Sequence, residues 1–117
     1  MSRDYRLYIG DVVLFCERVI AYTAGMEFPD FVSNQQCFDA VMRNLELIGE
    51  ASKNIPDNIR QEMPNIDWRG IIGMRNWIVH AYFGVKNEVI WNAIRVDVPE
   101  LLAVVRAYTA DESVSET

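Results

Sequence analysis

The chain has 117 residues, of which 50% are hydrophobic and 24% charged. That length suits one domain with enough apolar material for a real core, and the composition excludes a disordered chain. The formal net charge of -6 argues against broad, non-specific binding to nucleic acid, which needs a strong basic field, but leaves room for a local basic cleft.

Helical periodicity dominates from the start. A first helix is expected from about Arg3 to Ala24, with Leu7, Val12, Phe15, Cys16 and Val19 near one face. Gly25 is a natural stop, and Glu27-Phe28-Pro29-Asp30 reads as a turn or short loop. Ser33 or Asn34 caps a second helix, whose apolar positions are Phe38, Val41, Leu45, Ile48 and Ile55. Pro56 ends it, and residues 57–63 form one short helical turn before Pro64. Asp67 caps a third helix, Trp68 to about Tyr82, closed by Gly84. Asn87 caps a fourth, from Glu88 to about Tyr108, with Ile90, Trp91, Ile94, Val98, Leu101, Leu102 and Val105 as core candidates. Pro99 inside that pattern predicts a kink or local break. No stretch alternates with period two, so strands are not expected. The expected fold is all-α: an up-and-down four-helix bundle with an additional short helix. Residues 1–110 make the domain, and residues 111–117, with Asp111, Glu112 and Glu116, make a flexible acidic tail.

Cys16 and Cys37 each sit in an apolar helical pattern, with no CxxC spacing and no Cys/His cluster. Buried free thiols are the expectation, rather than zinc ligands or a disulfide framework. The charged start, Arg3, Asp4 and Arg6, is unlike a signal peptide, and no apolar run reaches the roughly 20 residues that span a bilayer. A cytoplasmic protein with no membrane contact is therefore expected.

The chemistry concentrates in Arg75-Asn76-Trp77-Ile78-Val79-His80-Ala81-Tyr82. His80 is the only histidine of the chain. Asn76 lies four residues before it, so the two share a helical face and the amide can orient the ring. Arg75 and Tyr82, seven apart, share another face. Arg75 and His80 are separated by about 140° on an ideal helix. To act together they need a helix that ends or distorts near His80, or a second copy of the chain. The residue types suit phosphodiester chemistry on RNA. Histidine moves protons near neutral pH, and arginine presents a cationic fork to phosphate oxygens. RNA supplies its own 2′-hydroxyl nucleophile. No carboxylate pair stands at ligand spacing from His80, so neither metal nor cofactor is expected.

These residues and their flanks resemble the HepT-like proteins of the HEPN superfamily, toxins of prokaryotic toxin–antitoxin pairs. The family motif Arg-x4-His-x-Tyr stands here as Arg75, His80 and Tyr82. The resemblance runs from about Tyr5 to Leu102. It takes in the stretch Ala40 to Ala51, Pro64-Asn65-Ile66-Asp67-Trp68, Ile90-Trp91-Asn92 and Val98-Pro99-Glu100-Leu101. It implies a HEPN-like helical homodimer acting as a metal-independent RNase, with Arg75 and His80 of both subunits facing one interface cleft. Arg75 would polarise the scissile phosphate, His80 would be the general acid or base, and Asn76 would orient the site. The implied products are a 2′,3′-cyclic phosphate and a 5′-hydroxyl. The implied partner is an MNT-type nucleotidyltransferase antitoxin that transfers AMP to Tyr82. The added bulk and negative charge would fall beside the catalytic pair.

Plainer roles compete for each residue. Arg75 alone would be a surface salt bridge, and Tyr82 a half-buried aromatic. Trp68, Trp77 and Trp91 fit core or interface packing better than base stacking. Arg43, Lys53 and Arg69 fit solvated helix faces better than a phosphate path. The alternative function is a non-catalytic helical dimer that binds and positions a nucleotidyltransferase. A nucleotide-sensing module using Arg75 on phosphate is a third, weaker alternative.

Overall fold

The computed structural model describes residues 3–80 and 86–115, with the backbone alone at Trp77, Val79, His80 and 112–115. Helix α1 is Tyr5–Tyr22. The Asp4 carboxylate caps it by accepting from the Arg6 N–H at 2.9 Å. Ile9, Val12, Cys16 and Val19, spaced three and four apart, are its buried stripe. Leu7, expected on that stripe, is instead 52% exposed, because it lies five residues from Val12 and out of phase with it. Gly25 then takes φ 75° in the turn, a conformation that glycine adopts without strain.

The stretch expected as a loop at Glu27 to Asp30 starts a short helix, α2, Phe28–Ser33. Asp30 accepts from the Glu27 N–H at 2.9 Å, and Pro29 sits in the first turn, where its missing N–H is not needed. Tertiary packing decides the rest. Phe31 is fully buried, with ring centroids 5.3 Å from both Phe38 and Trp91.

Helix α3, Gln35–Lys53, is capped by Asn34, whose Oδ1 accepts from the Cys37 N–H at 3.0 Å. The Cys37 Sγ lies 3.5 Å from the Tyr22 carbonyl, while Asn54 lines one groove with Tyr5 and Tyr8 from the start of α1. α1 and α3 therefore run antiparallel. A single turn, α4 (Asp57–Arg60), follows Pro56. The Trp68 indole N–H donates to the Arg60 and Met63 carbonyls, 3.1 Å each, tying this corner to the next helix. Helix α5, Trp68–His80, opens on the expected cap: Asp67 Oδ1 accepts from the Gly70 N–H at 3.1 Å. Its buried side chains include Trp68, Ile71, Met74 and Ile78.

The expected fourth helix is continuous in path but not in pitch. Helix α6 is Asn87–Asn92, with Lys86 rather than Asn87 at its N-cap. A π-helical segment, Ala93–Asp97, leads into α7, Val98–Ser115. Pro99 explains the widening. It has no N–H, and its ring crowds the carbonyl four residues back, at Arg95. The backbone re-pairs at longer range, with the Val98 N–H bonding the Ala93 carbonyl five residues back. The kink expected at Pro99 is thus a π segment and not a break. Helix α7 runs on as far as Ser115.

α3 packs against α1 on one side and α5 on the other, while α7 packs against α1 and the π segment. Among the described residues there is no strand, and the bundle of α1, α3, α5 and α7 with short helices α2, α4 and α6 is the expected all-α architecture. Both cysteines are free. Cys16 is fully buried, and burial pushes its thiol up to about 12. Cys37 is half-buried rather than buried. No helix among the described residues is long and apolar enough to cross a membrane.

Candidate functional site

The site is set by how α5 lies on α3. Gly49 faces the α5 backbone, and a Cβ there would come within 3.1 Å of the Ile71 carbonyl and 3.4 Å of the Arg75 nitrogen. A side chain there would force the α5 backbone to give by a few tenths of an ångström. The close approach brings the α5 backbone at Arg75 against α3 just beside Glu50. Arg75 Nη1 then pairs with Glu50 Oε2 at 2.9 Å.

The pair lies at the surface. The two side chains remain 46% and 45% exposed, so solvent reaches the guanidinium. An ion pair this exposed contributes at most about 1 kcal/mol to stability. Arginine presents five N–H donors, and one carboxylate leaves most of them open to another anion. Asn76 is exposed next to Arg75, as its position on the outer side of α5 requires. His80 is the last residue of α5, one helical turn beyond Asn76. Tyr82 lies outside the described residues. Among the described residues, Glu50 is the ion-pair partner of Arg75.

The Glu50 contact with Arg75 is one that sequence reasoning missed. Glu50 stands 25 positions before Arg75, beyond any helical spacing rule. The one available signal was the preceding Gly49, a glycine inside an otherwise unbroken helical pattern, which often marks a close backbone approach.

Of the remaining candidates, Trp68 and Trp91 have packing roles, and the Trp77 side chain lies outside the described residues. Trp68 is buried and hydrogen-bonded at the α4–α5 corner. Trp91 packs on Phe31 and lies under the Arg95 guanidinium, 4.5 Å from the ring centroid. Arg43, Lys53 and Arg69 are exposed, and Arg43 pairs with Glu46 at 3.4 Å along α3. A second concavity, between α5 and α6, has Asp67, Asp97 and Glu100 around an apolar floor that includes Ile71 and Met74. Burial, then Glu100 and Asp67, raise the Asp97 carboxyl above the usual carboxylate range. Among the described residues no three His, Cys, Asp or Glu side chains are grouped to hold a metal ion.

Residues 14–108 match the family model described as ribonuclease HepT-like. The chain belongs to this family. It is 40% identical over 101 residues to a probable ribonuclease HepT of Thermococcus cleftensis, an alignment covering 86% of this chain and 92% of that protein. A protein of Caldanaerobacter subterraneus named as a candidate RNase is 40% identical over 96 residues, covering 82% of this chain and 86% of the relative. Another candidate RNase, from Methanocaldococcus jannaschii, is 34% identical over 100 residues, covering 86% and 92%. No solved structure is a significant match. The HepT-like match spans both walls of the seam described above, Gly49 and Glu50 on α3 and Arg75 on α5.

Proposed function

We propose that this HepT-like chain is a metal-independent endoribonuclease and the toxin of a type II/VII-like toxin–antitoxin pair. The observation that carries the reading is Arg75: family membership puts the chain among ribonuclease-like proteins, and Arg75 offers a solvent-reached cation on the motif helix. In this scheme the 2′-oxygen attacks the adjacent phosphorus while a base takes its proton. The bond from phosphorus to the 5′-oxygen breaks, and that oxygen receives a proton. His80 serves one of these proton transfers, and its copy in a second subunit serves the other. Arg75 bears on the non-bridging oxygens, whose charge rises in the transition state. Asn76 orients His80, and Glu50 holds Arg75 at the right height on the seam. A homodimer resolves the angular separation of Arg75 and His80 on one helix by supplying both residues twice to a single cleft.

Control in this reading comes from an MNT-type nucleotidyltransferase that attaches AMP to Tyr82. The added phosphate would compete with RNA for Arg75, the same cation the substrate needs. Expression without the partner tests the proposal. Wild type should arrest growth, His80→Ala should not, and Tyr82→Phe should arrest growth even when the partner is present. Equal harmlessness of wild type and His80→Ala would favour a non-catalytic dimer that positions the nucleotidyltransferase. AMP found by mass spectrometry on another residue would overturn the assignment of Tyr82.

A further inference from the structure

One strip of α5 lies opposite its buried side. Positions 69, 73, 76 and 80 fall within about 60° of one another on an ideal helix, across from the buried Ile71, Met74 and Ile78. Arg69 opens the strip, Gly73 and Asn76 follow, and position 80 ends it together with the helix. Arg69 and Asn76 are exposed, and Gly73 is partly so. Arg69 stands eleven residues before His80, about 16 Å along the helix axis.

Two features of this strip have no use inside the chain. The first is the charge of Arg69. Among the described residues it has neither an ion pair nor a side-chain hydrogen bond, because the carboxylates around it are engaged or turned elsewhere. Asp67 accepts from the Gly70 N–H at 3.1 Å as the α5 cap. Glu50 pairs with Arg75 at 2.9 Å, and Glu46 with Arg43 at 3.4 Å. Asp97 and Glu100 line the concavity over Gly70 and Met74, which stand about 100–140° round the helix from Arg69. The second feature is Gly73. Glycine weakens the middle of a helix, yet a Cβ here would meet nothing within 4 Å, so no packing within the chain accounts for it.

We propose that this outer strip of α5 is a track for the RNA strand: Arg69 binds a backbone phosphate a few nucleotides from the bond cut at His80 and Arg75, and Gly73 leaves room for the strand between them. The proposal rests on the RNase reading and adds to it where the substrate lies. A guanidinium without a carboxylate partner offers its whole N–H fork to phosphate oxygens. An acidic protein at net charge -6 has no general field to hold RNA, so affinity must come from such local cations. Asn76, between Gly73 and position 80, keeps the track polar up to the reacting bond.

Arg69→Gln tests this against wild type and Arg69→Lys. Arg106→Gln, on the α1–α7 flank where Arg106 pairs with Glu17 at 3.2 Å, controls for the loss of one positive charge. Binding is measured in a His80→Ala background with a single-stranded RNA of ~12 nucleotides, across a salt series. Arg69→Gln should lose about 0.7 from the slope of log affinity against log salt, the share of one phosphate contact on a single strand. Arg69→Lys and Arg106→Gln should keep the slope. In the cleaving background, the Arg69→Gln deficit in kcat/KM should be about tenfold greater on the long RNA than on a dinucleotide, one lost contact being worth roughly that factor. Gly73→Ala should melt no lower than wild type, yet bind the long RNA several-fold more weakly. If wild type cleaves RNA, a wild-type slope in Arg69→Gln or wild-type affinity in Gly73→Ala overturns the track while the RNase reading stands. If Gly73→Ala instead turns a dimer into monomers on size exclusion, the strip is a seam between subunits and the proposal also fails. If wild type neither binds nor cleaves RNA, both readings fall.

Discussion

On its α1 side α3 meets a buried stripe of side chains, whereas on its α5 side buried side chains share the seam with backbone that closes directly on Gly49. The α1 stripe of Ile9, Val12, Cys16 and Val19 is almost entirely buried and apolar. The α5 seam brings the Ile71 carbonyl and the Arg75 nitrogen against Gly49 and leaves an exposed ion pair at its rim. The first arrangement makes stability from apolar area. The second fixes the height of one cation at the surface, which apolar packing alone does not do. In the proposed scheme the α1 flank serves stability alone and the α5 rim also serves cleavage, and substitutions should separate the two.

The largest stability loss is expected on the α1 side. Val12→Ala removes buried methyl groups worth about 0.8 kcal/mol each and leaves a cavity, so it should cost about 2 kcal/mol in urea unfolding. Cleavage by the folded fraction should persist. On the α5 side, Gly49→Ala gains about 1 kcal/mol of helix propensity but must push the α5 backbone away, an overpacking cost of about 1–3 kcal/mol. A net loss near 1 kcal/mol is expected, with cleavage falling further than stability; a more stable, fully active variant would break the comparison. Gly10→Ala is the control on the outer side of α1, where an added Cβ meets nothing within 4 Å. It should stabilise by up to about 1 kcal/mol and leave cleavage alone.

Glu50→Gln should have the smallest effect on folding, within about 1 kcal/mol. Its effect on cleavage should be the more informative one, because misplacing a positioning group by about 1 Å costs up to about a hundredfold. Cleavage unchanged in Glu50→Gln would mean that the ion pair is only a surface contact.

How far these features were readable from the sequence follows the same division. The main helices follow from period and caps: Asn34 and Asp67 bond the N–H groups that their positions predicted. Pro99 announced an irregularity but not its form, since a kink and a π segment satisfy the same missing N–H. α2 was hidden because six residues with a proline carry no period, and because Phe31 owes its burial to Phe38 and Trp91, which are distant in sequence. Arg75, Asn76, His80 and Tyr82 stand out as a motif because they are local. Glu50 does not, since its contact with Arg75 exists only once Gly49 has let two helices close.

End-group analysis of RNA cleaved by the purified protein tests the central assignment most directly. Wild type in EDTA should yield 2′,3′-cyclic phosphate and 5′-hydroxyl ends. Arg75→Ala and His80→Ala should each yield none while keeping the wild-type helical far-UV signal. Cleavage that survives both substitutions, or that needs a divalent ion and leaves 5′-phosphate ends, would contradict the account.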